Sequence, residues 1–115
     1  MTDVSPLDRT ETGQVRFATG TTVKDFDWYR EWLQCAERAK FEMITVGDSQ
    51  SLWADPFVAM AFAAEVTIEP SIALTVSNPQ TRHPAVVASS LVALQQLSGG
   101  RIRYGLSSGD SAFSQ

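Results

Sequence analysis

A chain of 115 residues, 43% hydrophobic and 19% charged, has the composition of one soluble globular domain. Its 9 Lys and Arg against 13 Asp and Glu leave a net charge of -4 and form no basic run, which excludes the clustered cationic surface that nucleic-acid phosphates require. Cys35 is the single cysteine, so an intrachain disulfide and a multi-cysteine metal site are excluded and a reducing, cytoplasmic compartment is expected.

Residues 1–14 are polar and lack the basic and apolar regions of a signal peptide, so they read as an N-terminal extension preceding a folded unit over 15–115. No apolar stretch approaches the roughly 20 residues of a membrane helix, since the alanine-rich run from Phe57 to Val66 meets Thr67 and Glu69. No membrane partner is expected. Four short apolar runs begin near Val15, Met43, Ser71 and Arg101, about 30 residues apart, the length of a strand and helix repeat.

After the first run a helix is predicted from about Lys24 to Lys40. It sets Trp28, Trp32, Cys35, Ala36 and Ala39 on one side and Arg30, Glu31, Gln34, Glu37 and Arg38 largely on the other, which places the aromatics in the core and makes Cys35 a small packing residue. The runs Met43-Ile44-Thr45-Val46 and Ile72-Ala73-Leu74-Thr75-Val76 are nearly continuous in apolar or β-branched residues. That is the pattern of parallel strands buried on both faces. Between them Asp55-Pro56 marks a helix start, with Asp free to cap backbone amides and Pro at the first helical position. A third helix opens at His83-Pro84, carries Val87, Leu91, Leu94 and Leu97 along one stripe, and stops at Ser98-Gly99-Gly100.

Such units, repeated to eight, make a (β/α)8 barrel of roughly 250 residues. The expected fold is therefore α/β: about four βα units, the first half of a TIM barrel. A small doubly wound sheet is the alternative, with its ligand at the carboxyl ends of the strands. The turn Phe17-Ala18-Thr19-Gly20-Thr21-Thr22 has one glycine, so the G-x-G-x-x-G dinucleotide loop is absent. It also lacks the paired acids of a phosphoacceptor receiver domain, although Asp48 would suit one.

In either fold the functional end is where strands give way to helices, and the four such junctions are polar: Thr19-Gly20-Thr21, Gly47-Asp48-Ser49-Gln50, Ser77 through His83, and Ser107 through Ser111. Asp48, at the end of a buried strand, is expected either to point into the barrel mouth and accept hydrogen bonds from a ligand, or to cap the next turn. Asp110 has the same placement, and the Ser107-Ser108-Gly109 turn before it would let backbone amides approach a ring edge or phosphate. His83 has no metal-ligand partner at helical spacing, so no metal site is expected. With Arg82 it either orders its turn or meets an anion at the helix start. No Ser-His-Asp or Cys-His arrangement is present in the pattern, and no catalytic residue is assigned.

The run Asn78-Pro79-Gln80-Thr81-Arg82-His83-Pro84-Ala85 is followed by Leu97-Ser98-Gly99-Gly100-Arg101 and by Gly105-Leu106-Ser107-Ser108-Gly109-Asp110. With Val46 through Trp53 and Asp55 through Ala59, these motifs resemble the luciferase-like monooxygenase superfamily over about residues 42 to 110, and within it the deazaflavin-dependent reductases. The resemblance implies that residues 15–115 are the N-terminal half of a luciferase-like barrel. It implies a pocket for coenzyme F-420, favoured by the 78–83 loop, or for FMN, a small-molecule substrate, and hydride transfer or flavin monooxygenation. It further implies a cis or strongly bulged Thr75-Val76 peptide with Ser77 close to the ring, and cofactor contacts from Asp48, Thr75, Val76, Ser77, Ser108, Gly109 and Asp110. The first strand departs from the reductase pattern in having no acid over Phe17 to Gly20.

Strands five to eight lie beyond these motifs, and the closing residues Ser111 to Gln115 run into an expected loop as though interrupted. A non-catalytic half-barrel interaction module and a truncated product are the alternatives to an enzyme. An open half barrel exposes two strand edges, so the 115-residue chain is expected to be a homo-oligomer or to complete itself with another half barrel. Sedimentation should show self-association; a sharp monomer boundary with a cooperative thermal transition would contradict it.

Overall fold

The computed structural model describes residues 14–49 and 51–108. It contains β1 (Ala18–Gly20), α1 (Phe26–Arg38), β2 (Met43–Val46), α2 (Pro56–Val66), β3 (Ser71–Ser77), α3 (Pro84–Ser98) and β4 (Ile102–Leu106). The sheet order is β1-β2-β3-β4 and every pairing is parallel, in register through Gly20↔Thr45, Thr45↔Ala73 and Ala73↔Arg103. A doubly wound sheet needs a reversal of strand order, and none occurs among these strands. The helices line up in the same sequence, α1 against α2 and α2 against α3. This is a singly wound barrel segment, part of a (β/α)8 barrel.

The helix starts follow from local chemistry. Asp25 and Asp55 each accept two amide hydrogen bonds at the starts of α1 and α2, and His83 accepts one at α3. Gly99 and Gly100, with φ of 69° and 88°, end α3 in the left-handed region that glycine adopts without strain. In β1, a Cβ on Gly20 would sit 1.9 Å from Thr45 Oγ1, so this position has no room for a side chain.

The core lies between the sheet and the helices. Ile44 and Val46 of β2 and Ile72 and Leu74 of β3 pack with Tyr29, Leu33, Met60 and Ala63. Burial on both faces, expected from the continuous apolar runs, is found on one face only for β2, where Met43 and Thr45 are half-buried on the side away from the helices. The first strand is also shorter than expected: it begins at Ala18, and Val15 and Phe17 are exposed.

The α1 face is rotated from its predicted position, and the α3 stripe departs from it only at its last residue. In α1 the buried stripe is Tyr29, Leu33 and Ala36, while Trp28 is 48% exposed and Cys35 and Ala39 lie on the surface. Adjacent stripes of similar apolarity run along this helix. The winning one is set by a ring cluster in which Tyr29 stacks on Trp32 and Phe62, at 5.9 and 6.0 Å, and Phe26 meets Phe62 edge-on. Burial holds the Tyr29 hydroxyl protonated well above the ordinary phenol range. In α3 the stripe passes from Leu94 to Ser98, leaving Leu97 46% exposed.

Arg101 explains why the chain needs a polar residue at the entry of β4. Its Nε donates to Ser98 O at 2.7 Å, Nη1 to Thr67 Oγ1 and Pro70 O at 3.0 Å each, and Nη2 to Ala64 O at 2.9 Å and Thr67 O at 3.1 Å. Carbonyls left over at the end of α2 and in the turn before β3 are thereby satisfied by one planar guanidinium. Desolvation by burial lowers its pKa, with the charge of Glu37 opposing. Glu37 ties the same turn from the other side, accepting from the Ile68 and Glu69 amides at 2.6 and 2.8 Å. Replacing Arg101 by Met should cost about 2 to 4 kcal/mol, because several partly buried acceptors lose their donor together. Urea unfolding of R101M checks this, and a loss below about 0.5 kcal/mol would show the network to be dispensable.

Candidate functional site

Asp48 lies just past the end of β2, and its carboxylate has no exposed surface. A buried carboxylate needs donors, and among the described residues Ser77 Oγ and Arg82 Nη1 each donate to Oδ2 at 2.8 Å. Arg82 Nη2 lies 3.5 Å from Asp48 Oδ1 and donates to Asp55 Oδ1 at 3.1 Å, and the guanidinium sits 4.8 Å from the centroid of Phe57. Burial works against the Arg82 charge, but the hydrogen bonds and charges of Asp48 and then Asp55 outweigh it and raise its pKa. Asp48 therefore joins the ends of two strands and the turn before α3.

Ser77 is fully buried, and its carbonyl accepts from Ser107 N at 2.9 Å, which extends the network to the end of β4. Just before it the register slips: Leu74 pairs with Tyr104 and Ser77 with Leu106, so β3 carries an extra residue across from β4. The Thr75-Val76 peptide is cis, as expected from the motif. The bulge turns both side chains outward, with Val76 48% exposed, and turns Ser77 inward to Asp48. Gly105 stands beside the bulge, where an added Cβ would lie 3.2 Å from Leu74 O.

The neighbouring loops are fixed by their own bonds. Asn78 Oδ1 accepts from the Gln80 and Thr81 amides at 2.9 and 3.1 Å, and Ala54 N donates to Val23 O at 2.8 Å, joining the loops after β1 and β2. Of the residues proposed from sequence, Asp48 and Ser77 are in contact, Thr75 and Val76 are displayed beside them, and Ser108 is exposed after β4. Gly109 and Asp110 lie outside the described residues. His83 Nδ1 accepts from Ala85 N at 3.1 Å, so it orders its own turn, while Arg82 pairs with the acidic side chains of Asp48 and Asp55. Among the described residues no His, Cys, Asp and Glu side chains group to hold a metal.

Arg82, read from the sequence as ordering its turn or meeting an anion at the helix start, has acidic side-chain partners that the sequence reading did not name. The usable signal was that a strand-end acid buried among apolar residues requires a cation, and Arg82 is the cation in the adjacent strand-to-helix junction. A cleft of about 330 Å³, lined by Arg16, Glu37, Phe41 and Glu42, lies at the opposite, amino end of the sheet. Its charges serve other contacts, Arg16 with Glu42 and Glu37 with the amides before β3, and barrel sites form at the carboxyl ends.

A singly wound parallel sheet with its polar strand ends linked at one face is a segment of a (β/α)8 barrel, a fold in which ligand sites form at the carboxyl ends of the strands. The sequence pattern of the luciferase-like monooxygenases matches residues 9–115, and the chain belongs to that family. A 5,10-methylenetetrahydromethanopterin reductase of Methanopyrus kandleri is 38% identical over 53 residues, 46% of this chain and 15% of the reductase. The solved structure of the coenzyme F-420 dependent tetrahydromethanopterin reductase of that organism superposes with a TM-score of 0.79 at 27% identity, over 86% of this chain and 28% of its own. The oxygenating constituent of the 3,6-diketocamphane monooxygenase of Pseudomonas putida, in complex with FMN, gives 0.73 at 19% identity over 84% of this chain and 30% of that one. A monooxygenase of Streptomyces bottropensis gives 0.67 at 23% identity over 80% and 32%. The last two likenesses establish the fold alone. The chain spans less than a third of each of these relatives.

Proposed function

We propose that this chain supplies the first four strands, and with them one side of the cofactor pocket, of an oxidoreductase that moves hydride between coenzyme F-420 and an organic substrate. The observation that carries this reading is the likeness to the Methanopyrus reductase in both sequence and structure, 38% identity over 53 residues and a TM-score of 0.79.

The residues at the carboxyl face fit a flat, partly polar ring. Thr75 and Val76 offer an exposed surface of methyl groups and one hydroxyl, and among the described residues an added Cβ on Gly47 would meet nothing within 4 Å. In this reading Thr75 and Val76 support one face of the ring and exclude water from it. Ser77 and Asp48 hold that surface in place from behind, and Ser108 is exposed at the adjoining strand end. The deazaflavin, when bound, supplies the hydride-carrying carbon, and the protein's work is to orient it. In this reading the sheet face bearing Met43 and Thr45 is covered by the further strands of a complete barrel.

FMN-dependent monooxygenation is the second reading, favoured by the family to which the chain belongs and by the fold shared with the FMN complex. The same residues would serve it. Fluorescence titration of the 115-residue chain with coenzyme F-420 and with FMN separates the two. Saturable binding is expected for both, tighter for the deazaflavin by roughly tenfold, about 1.4 kcal/mol. Saturation by FMN alone would move the assignment to the second reading, and binding of neither would overturn a pocket formed by these strands.

A further inference from the structure

Arg82 makes more contacts than a turn residue needs, and they reach both the end of β2 and the start of α2. Asp48 follows β2, Asp55 caps α2, Phe57 opens α2, and Arg82 itself precedes α3. Asp48 in turn receives the hydroxyl of Ser77, the last residue of β3, directly after the displayed pair Thr75 and Val76. The Ser77 and Arg82 donors converge on one oxygen, Asp48 Oδ2, each at 2.8 Å. That oxygen fixes the strand end relative to the loop.

We propose that Arg82 is the positioning residue of this site: through Asp48 Oδ2 and the Ser77 hydroxyl it sets the orientation in which β3 presents Thr75 and Val76. The proposal rests on the cofactor reading only for what that surface receives, since the positioning is a property of the protein by itself. Without Arg82, the carboxylate would lose its charged partner while remaining buried. A charge in that state turns toward water or draws water in, and the Ser77 hydroxyl moves with it. Lysine cannot replace the planar fork, because a single ammonium does not reach Asp48 and Asp55 together while lying over Phe57. Neutralising Asp48 at the same time removes the unpaired charge yet leaves an amide oxygen to accept from Ser77.

The test compares R82M, R82K and the double variant D48N/R82M of the full chain by methyl and amide NMR without ligand, and by titration with coenzyme F-420 or FMN, whichever the unaltered chain binds. R82M should move the Val76 methyl and Ser77 amide resonances and weaken binding by tenfold or more. The double variant should recover at least half of both effects, and R82K should fall between R82M and the unaltered chain. If R82M lowers the melting temperature while the Val76 and Ser77 resonances stay in place and affinity holds within twofold, Arg82 is only a structural staple and the proposal fails. Should R82M not fold, unchanged Val76 and Ser77 resonances in R82K would overturn the proposal equally, and displaced ones support it. Binding of neither cofactor by the unaltered chain would defeat the cofactor reading, and the ligand-free spectra would still decide the role of Arg82.

Discussion

A carboxylate with no exposed surface is stable only if its charge and lone pairs are matched, and the carboxyl end of this sheet is organised around meeting that requirement for Asp48. Ser77 approaches from β3 and Arg82 from the loop beyond it, both onto the same oxygen. Arg82 then reaches the cap of α2 through Asp55, and the Ser77 carbonyl holds the amide of Ser107 after β4. Three strand ends and two helix starts are thus tied to one buried charge. Removing one partner of such a group disturbs all the others, and that is how a strand end on an otherwise short sheet can be held in a fixed attitude.

The order β1-β2-β3-β4 is the second determinant. Parallel strands added in sequence, each followed by its helix, put successive polar junctions side by side at one end of the sheet. Residues 29 to 34 positions apart in the chain, as Ser77 and Arg82 are from Asp48, become hydrogen-bonded neighbours. Stability comes from elsewhere: the ring cluster under α1, the alanine-rich face of α2, and the Arg101 and Glu37 network at the amino end. In barrels of this kind the stabilising residues and the ligand-binding loops commonly lie at opposite ends of the sheet.

Much of this was legible in the sequence because it is written in local signals. Asp55-Pro56 and His83-Pro84 begin helices where their chemistry says they should, and Gly99 ends one in the left-handed region. The apolar runs at Met43 and Ile72 are strands, and the motif register located the irregular peptide at Thr75-Val76. What periodicity could not decide was a choice between near-equal faces, as in α1, where Tyr29 and Leu33 are buried and Trp28 is not. Nor does local pattern reveal long-range electrostatics. Arg82 looks like a loop residue until β2 and β3 are side by side, and Arg101 looks like a strand's first residue until the end of α2 is placed beneath it. Both were visible as residue types in motifs, but their partners depend on the tertiary arrangement.

The central claim is that the ligand face of this chain is the carboxyl end of the sheet, built on the strand end that Asp48 and Ser77 hold. The most direct measurement is a map of backbone amide shifts as coenzyme F-420 is added to the isotopically labelled chain. The account predicts that the largest changes fall at Gly47, at Thr75 through Ser77 and at Ser108, with little change at the amino end of the sheet. Changes centred instead on Glu37, Phe41 and Glu69 would place the ligand at the wrong end of the strands and contradict it.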